Sequence, residues 1–223
     1  MPTLSCVEDG WSSSQGEGSH SLARADSGTH SNYTNKKEAY ATIYGKFSGR
    51  GGVQYLIRRA WFIFNTSGIT VTPASANLQL GGFSQTDLDV ILVRASLGGT
   101  IDSYYEDITG AATALSNSDG SGTGTLAGVS GLTYSAEIST WNTGAYNTIP
   151  LNANALGKMV SETSFECILM GYDYDFLDID AALVAGTGFE FRETTESTPR
   201  PPILNYTVAT TAVDNAVFFG SNF

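Results

Sequence analysis

The sequence predicts an all-β protein, a single jelly-roll-like β-sandwich of about ten strands with one short helix. Short segments that alternate apolar and polar residues recur along the chain, separated by turns rich in Gly, Ser, Asn and Asp. Charged residues make up 15% of the 223 residues, below the roughly 25% of an average globular domain. Patterns of helical period are scarce, so strands joined by turns are the best account.

The strand signals begin in the first third of the chain. In RRAWFIF, alternation places Trp61 and Ile63 on one face and Phe62 and Phe64 on the other, which predicts a strand buried on both sides. The predicted strand segments are, in chain order, KKEAYATIYGKF, VQYLIRRAWFIF, ASANLQLGG, DLDVILVRA, LTYSAEIS, YNTIPL, TSFECILMGY, GFEFRE and PPILNYTV.

One helix is predicted, in LNANALGKMVSE, with Asn152 as its N-cap and Gly157 weakening it. Residues 116–131 lack large side chains and predict a loop. No independently cored block lies on either side of this loop. We therefore expect one β-sandwich domain over residues 1–208, followed by an apolar extension over residues 209–223.

The net charge of −11 excludes nucleic acid as a partner, because phosphate binding requires a concentrated basic face. No stretch approaches the roughly 18 apolar residues of a membrane span, so no membrane insertion is expected. Most of the basic residues lie before Trp61 and most of the acidic ones after it. This asymmetry indicates either a solvated acidic surface or head-to-tail complementarity between subunits.

The two cysteines leave their oxidation state open, because Cys6 and Cys167 would pair only if their strands lie side by side. The first residues have no secretory signal pattern. An extracellular or virion-associated location then implies either a leader removed beforehand or release by another route such as lysis, and Met1 favours the second.

No catalytic motif is recognisable: the chain has no Gly-x-Ser-x-Gly elbow, no Walker loop and no Cys-x-x-Cys spacing. His20 and His30 lie in polar sequence, and we expect surface or strand-edge roles for them. The acidic run GYDYDFLDID carries Asp173, Asp175, Asp178 and Asp180. These carboxylates predict either a solvated loop or a calcium site, although their spacing is not that of an EF-hand. No other cofactor is expected.

Aromatic residues in polar context are candidates for stacking on sugar rings, the alternative being half-buried positions at sandwich corners. The candidates for glycan contact are Trp11, Trp141, Tyr146 and Tyr172, of which Trp141 is favoured as a corner plug. Three Asn-x-Ser/Thr sequons, at Asn32, Asn65 and Asn205, are acceptors for N-glycosylation if the chain passes through a glycosylating compartment.

Several segments together resemble the DNRLRE-type β-sandwiches, which are similar to carbohydrate-binding-module jelly rolls. They are an Arg-hydrophobic-Phe strand at residues 59–64, an Asn-Thr-Ser turn at 65–69, an Ala-x-Leu-x-Leu strand at 76–80, and a Pro-rich closing strand at 202–207. The resemblance spans residues 8–208 loosely. It implies a β-sandwich of the kind found in bacterial surface and phage-associated structural proteins, carries no catalytic residue, and raises the case for a structural calcium.

The extension sets this chain apart from such a domain. It carries Val213, Val217, Phe218, Phe219 and Phe223, and burying each such side chain is worth roughly 1.5–3 kcal/mol. These side chains need a groove on the same subunit or on a neighbour. We therefore expect a non-enzymatic structural protein that binds copies of itself through unlike surfaces, as part of a filament, fibre or virion. The alternative is a monomeric carbohydrate-binding module that binds glycans, with or without calcium.

Overall fold

The computed structural model describes residues 1–25, 28–33, 40–98, 101–108, 124–192, 194–195 and 197–209. Eleven β-strands dominate these residues, which confirms the all-β class. The strands are β1 (Thr3–Ser5), β2 (Glu8–Glu17), β3 (His30–Asn32), β4 (Thr42–Gly49), β5 (Gly52–Asn65), β6 (Ser75–Thr86), β7 (Val90–Arg94), β8 (Tyr146–Pro150), β9 (Ser164–Gly171), β10 (Val184–Phe189) and β11 (Ile203–Thr207).

In the part of the chain that the structure describes, helical structure is limited to short pieces. The α-helices described there are α1 (His20–Ala25) and α2 (Ala153–Ser161), and single turns of 3-10 or π type cover Ile101–Tyr105, Leu126–Gly128 and Tyr172–Phe176. Helix α2 is the predicted helix. The Asn152 side chain caps it by accepting hydrogen bonds from the backbone N–H groups of Asn154 (3.0 Å) and Ala155 (3.2 Å). Neither described α-helix is long enough to cross a bilayer.

The strands pair antiparallel in one continuous sheet with the order β1-β11-β6-β10-β4-β5-β2-β3. Strand β8 pairs with β6, and β9 connects β5 to β7. Because the pairing does not separate into two sheets, the two-layer sandwich is not confirmed, although the all-β class is. Strand β5 organises the centre: β2 runs along one of its edges, while β4 and then β9 share the other.

Strands distant in the sheet order meet in one large core, so the sheet curls around it. This core joins Phe62 and Phe64 of β5 to Leu78 of β6 and Leu204 of β11, all fully buried. A second core packs Trp61 against Ile168 and Met170 of β9 and against the loops near residues 126 and 132. The prediction that this part of β5 is buried on both faces is confirmed.

Both cysteines are free thiols in the larger core. The Cys6 thiol donates to the Glu8 carbonyl at 3.1 Å. Burial raises the pKa of both thiols above the usual value, so they stay protonated and pack as small apolar side chains. The question that the sequence left open is therefore answered in favour of unpaired cysteines.

Candidate functional site

The first half of β5 places alternate side chains in opposite surroundings. Tyr55, Ile57 and Arg59 are buried on one face, whereas Gln54 is exposed and Leu56 part-exposed on the other. Cross-strand partners share a face, so the register extends the exposed side across neighbouring strands. We call this side the open face. Its members are Gln15 of β2, His30 of β3, Ile43 and Phe47 of β4, Gln54, Leu56 and Arg58 of β5, and Val184 and Gly186 of β10, with Tyr40 and Thr86 at its border.

A groove of about 360 Å³ crosses the open face between β3 and β4. Phe47 and Leu56 give it apolar surface, and Gln15, His30 and Gln54 give it hydrogen-bonding groups. The Gln15 amide nitrogen lies 2.9 Å from the His30 Nε2 atom. Since an amide N–H₂ can only donate, this His30 nitrogen accepts. The groove therefore combines an exposed aromatic ring with neutral polar side chains.

Beside the groove lies a smaller apolar depression of about 120 Å³, lined by Tyr40, Ile43, Thr86, Val184 and Gly186. Glycine is required at its floor, because a Cβ atom on Gly186 would clash with the Tyr40 ring. Near the groove, a Cβ atom on Gly45 would come within 2.7 Å of the Phe47 ring. Glycines thus let two aromatic rings lie close to the sheet.

The open face is poor in acidic groups. None of the described residues that line the groove or the depression is Asp or Glu, in a chain with 22 acidic residues. Its arginine, Arg58, lies with its guanidinium carbon 3.7 Å from the centre of the Trp11 ring and donates to the Tyr40 carbonyl. Trp11 is part-exposed, and we retain it as a neighbour of the candidate surface.

The opposite face of β5 carries a buried ionic network. The Arg59 guanidinium donates two parallel hydrogen bonds to the Asp175 carboxylate, both at 2.7 Å, and a third to the Tyr105 carbonyl at 2.6 Å. Burial alone would lower the pKa of Arg59, but Asp175 raises it above its usual value. Arg24 of α1 lies beside this pair, 2.7 Å from the Asp178 carboxylate, and donates to the Asp175 carbonyl at 2.9 Å. The network holds α1 and the turn at residues 172–178 against the sheet.

This pairing accounts for much of the acidic run. Asp175 and Asp178 face arginines, and Asp180 accepts hydrogen bonds from Tyr44, Tyr55 and Lys46 at 2.8–3.0 Å. Among the described residues, no group of three or more His, Cys, Asp or Glu side chains is arranged to hold a metal ion. The geometry gives the alternative of a calcium site at Asp173, Asp175, Asp178 and Asp180 no support. The alternative of a solvated loop is wrong for Asp175, which is 2% exposed and paired with arginines.

His20 was expected at the surface, and this prediction is wrong. Its side chain is buried in α1, edge-on to the Tyr44 ring, with Nε2 2.8 Å from the Tyr174 carbonyl. Its Nδ1 atom lies 3.5 Å from the Asp178 carboxylate. Sequence analysis missed it because α1 has six residues and no periodic signal. His30, in contrast, is exposed, as expected.

The structure separates the other candidates for glycan contact. Trp141 is buried and donates from its indole nitrogen to the Gly188 carbonyl at 3.0 Å, so it is the favoured corner plug and not a contact residue. The Tyr146 hydroxyl donates to the Pro201 carbonyl at 3.2 Å, and the Tyr172 ring stacks on Phe176. Each has its own partner, and neither lines the groove.

The three sequons differ in the exposure of their asparagines. Asn65 is exposed and Asn32 part-exposed, whereas Asn205 is buried in β11 with its amide donating to Asn77 at 3.2 Å. Asn205 is therefore no surface acceptor in the folded protein. The apolar residues of the extension, Val213, Val217, Phe218, Phe219 and Phe223, lie outside the described residues.

No model of a known protein family matches this chain, and no curated protein matches it either. The surface and the network described above therefore carry the functional argument by themselves.

We expect the Arg59–Asp175 pair to contribute strongly to the free energy of unfolding. Arg59→Met leaves the Asp175 carboxylate buried beside one arginine fewer, so we expect the free energy of unfolding to fall by about 3–5 kcal/mol. Equilibrium urea unfolding measures this loss. The matched control is Arg94→Met, because Arg94 forms a more exposed pair with Glu162; its cost should stay within about 1 kcal/mol. Equal losses in the two variants would contradict the assigned role of the network.

We expect the stability of the protein to depend on pH through His20. Burial lowers the pKa of His20 below its usual value, against the bond to the Tyr174 carbonyl. The unfolded chain, with a histidine pKa of about 6.5, then binds the proton more tightly than the folded protein. Stability should be complete above about pH 6.5 and fall as the pH drops below it.

Urea unfolding at about pH 7.5 and about pH 5.5 measures the effect in the window where histidine titrates. His20→Gln should reduce the difference in the free energy of unfolding between the two pH values. The exposed control His30→Gln should leave this difference unchanged. A His20→Gln variant with the full pH dependence would show that another group is responsible.

Proposed function

We propose that this protein is a non-enzymatic structural subunit that binds copies of itself through unlike surfaces, as part of a filament, fibre or virion surface or tail. The observation that carries the proposal is the open face. It exposes Phe47 (46%), Val184 (49%) and Tyr40 (38%) on neighbouring strands and segments. Contiguous exposed apolar surface of this kind is typical of interaction sites.

The electrostatics of the chain support contact at this face. A subunit of net charge −11 repels its copies wherever carboxylates approach each other. The open face lets two copies meet where neither the groove nor the depression has a described Asp or Glu. Apolar contact there is not opposed by carboxylates of the described lining.

The buried groups support a structural role over a catalytic one. The network around Arg59 is the largest gathering of charged side chains described above, and its arginines are 0–1% exposed. Such groups cannot reach a substrate. The described lining of the groove offers amides, a histidine and apolar side chains, and it does not include the carboxylate pair that most glycosidases use.

Residues 210–223 supply a candidate for the other surface. This stretch contains five large apolar residues and a single charged side chain, Asp214. Its composition suits insertion into an apolar site on a neighbour. Donor and acceptor surfaces would differ, so repetition of the contact gives a ring or an open chain of subunits. We place such an assembly outside the cell or on a virion.

Deleting residues 210–223 tests the proposal. We expect the wild-type protein to form species larger than a dimer that grow with concentration, and the truncated protein to remain a monomer in size-exclusion chromatography with light scattering. Circular dichroism and urea unfolding of the truncated protein should match the wild type, since β11 ends before the deletion. A wild-type protein that stays monomeric at high concentration would refute self-assembly.

A second candidate function is glycan binding, favoured by one observation. Phe47 and the polar side chains of Gln15, His30 and Gln54 line the same groove, and neutral amides beside an aromatic ring suit sugar hydroxyls. The test is binding to an array of neutral oligosaccharides, with and without a calcium chelator. Binding by a monomer that Gln54→Ala abolishes would support this function over assembly; no binding would remove it.

A further inference from the structure

We infer that the acceptor for residues 210–223 of one copy is the open face of a second copy. This inference rests on the proposed function and specifies its contact surface. The occupant is a nearly uncharged segment of the same sequence. The acceptor comprises the apolar depression around Val184 and the adjoining groove around Leu56.

The size of the depression matches an aromatic side chain. Its volume is about 120 Å³, and its lining includes Tyr40, Ile43 and Val184. An enclosed apolar cavity of about 150 Å³ binds benzene, so a slightly smaller depression that opens at the surface suits one phenyl ring. The segment offers three such rings, at Phe218, Phe219 and Phe223.

The spacing of the two acceptor features matches the spacing of the rings. Strand β4 lies between β10, which carries Val184, and β5, which carries Leu56. Two strand spacings amount to roughly 10 Å. In an extended chain, Phe219 and Phe223 point to the same side, and four residues span roughly 13 Å. One ring can then occupy the depression while the other covers Phe47 or Leu56 in the groove.

Charge does not oppose this contact. Asp214 is the single charged side chain of the segment. The described residues that line the depression and the groove include no carboxylate that would repel it. Much of the remaining surface of this acidic chain would repel Asp214, which favours the open face over other sites.

The path of the chain favours a second copy over the same copy. Strand β11 ends at Thr207, which pairs with Ser75, the first residue of β6; Thr86, the last residue of β6, lines the depression. The eleven residue steps of β6 from Ser75 to Thr86 cover as much as about 36 Å. A 14-residue segment reaches at most about 50 Å. Phe218 or Phe219 could reach the depression of its own subunit along this path only with the segment almost fully extended, whereas docking on a neighbour sets no such requirement.

Two full-length variants test the inference by complementation. Val184→Lys places a charge in the depression and leaves the segment intact, whereas the double variant Phe219→Ser/Phe223→Ser leaves the open face intact. Each variant alone should be monomeric in sedimentation velocity. Mixed in equal amounts, they should form a one-to-one dimer and nothing larger, because one functional donor–acceptor contact remains per pair.

The matched control is Val71→Lys, since Val71 is as exposed as Val184 but lines neither feature. It should assemble like the wild type. Leu56→Lys provides a second variant of the open face, and circular dichroism checks that both lysine variants fold. Normal assembly of both would overturn the inference while leaving the proposed function intact.

The remaining outcomes separate the alternatives. If the wild type itself is a monomer, the proposed function fails. If the two variants assemble alone but mixing changes nothing, another surface is the acceptor. If the wild type is monomeric and Val184→Lys alone exposes the segment to proteolysis at Phe219, the segment occupies its own subunit, and the inference is wrong.

Discussion

The structure depends most on the paired charges buried on the inner face of β5. An arginine cannot lose its proton at any ordinary pH, so Arg59, 1% exposed, requires an anion at bonding distance. Asp175 supplies it, but that residue lies in a turn far along the chain. Arg24 joins the pair and brings α1 with it. Two separate segments are therefore fixed on the sheet by the need to satisfy one charge. Removing any partner leaves a charge whose hydration has been lost, which is why the network forms as a unit.

The open face follows from this arrangement. The segments that cover Arg59 pack on one side of the first half of β5, and on the other side Gln54 is exposed and Leu56 part-exposed. Farther along the same strand, Phe62 and Phe64 are covered by the curled sheet. The same face of β5 is thus core at one end and accessible surface at the other. Tyr40, Phe47 and Val184 are consequently exposed where the sheet leaves its own core.

Local patterns predicted the parts of the fold that depend on neighbouring residues. The alternation at Trp61 and Phe62 and the cap at Asn152 needed only sequence periodicity and one hydrogen-bonding side chain. The network could not be predicted in this way, because Arg59 and Asp175 are 116 residues apart. An acidic run has the same local appearance whether it faces calcium, water or arginines, so its function could not be read from spacing. The open face was missed for a related reason, because it is formed only by the register of separate strands. The glycine at the floor of its depression follows no sequence pattern that would have pointed to it.

In the proposed assembly, the distribution of charge favours one kind of contact over another. Asp175 and Asp178 are paired with arginines inside the fold, whereas the net charge of −11 acts between molecules. Two copies approaching by equivalent acidic surfaces meet repulsion, whereas a nearly neutral segment meeting a face poor in carboxylates does not. Electrostatics therefore favours the proposed contact between unlike surfaces. Such a contact would leave each new subunit with one unused donor and one unused acceptor, and growth would continue until the rotation between subunits closes a ring or fails to close.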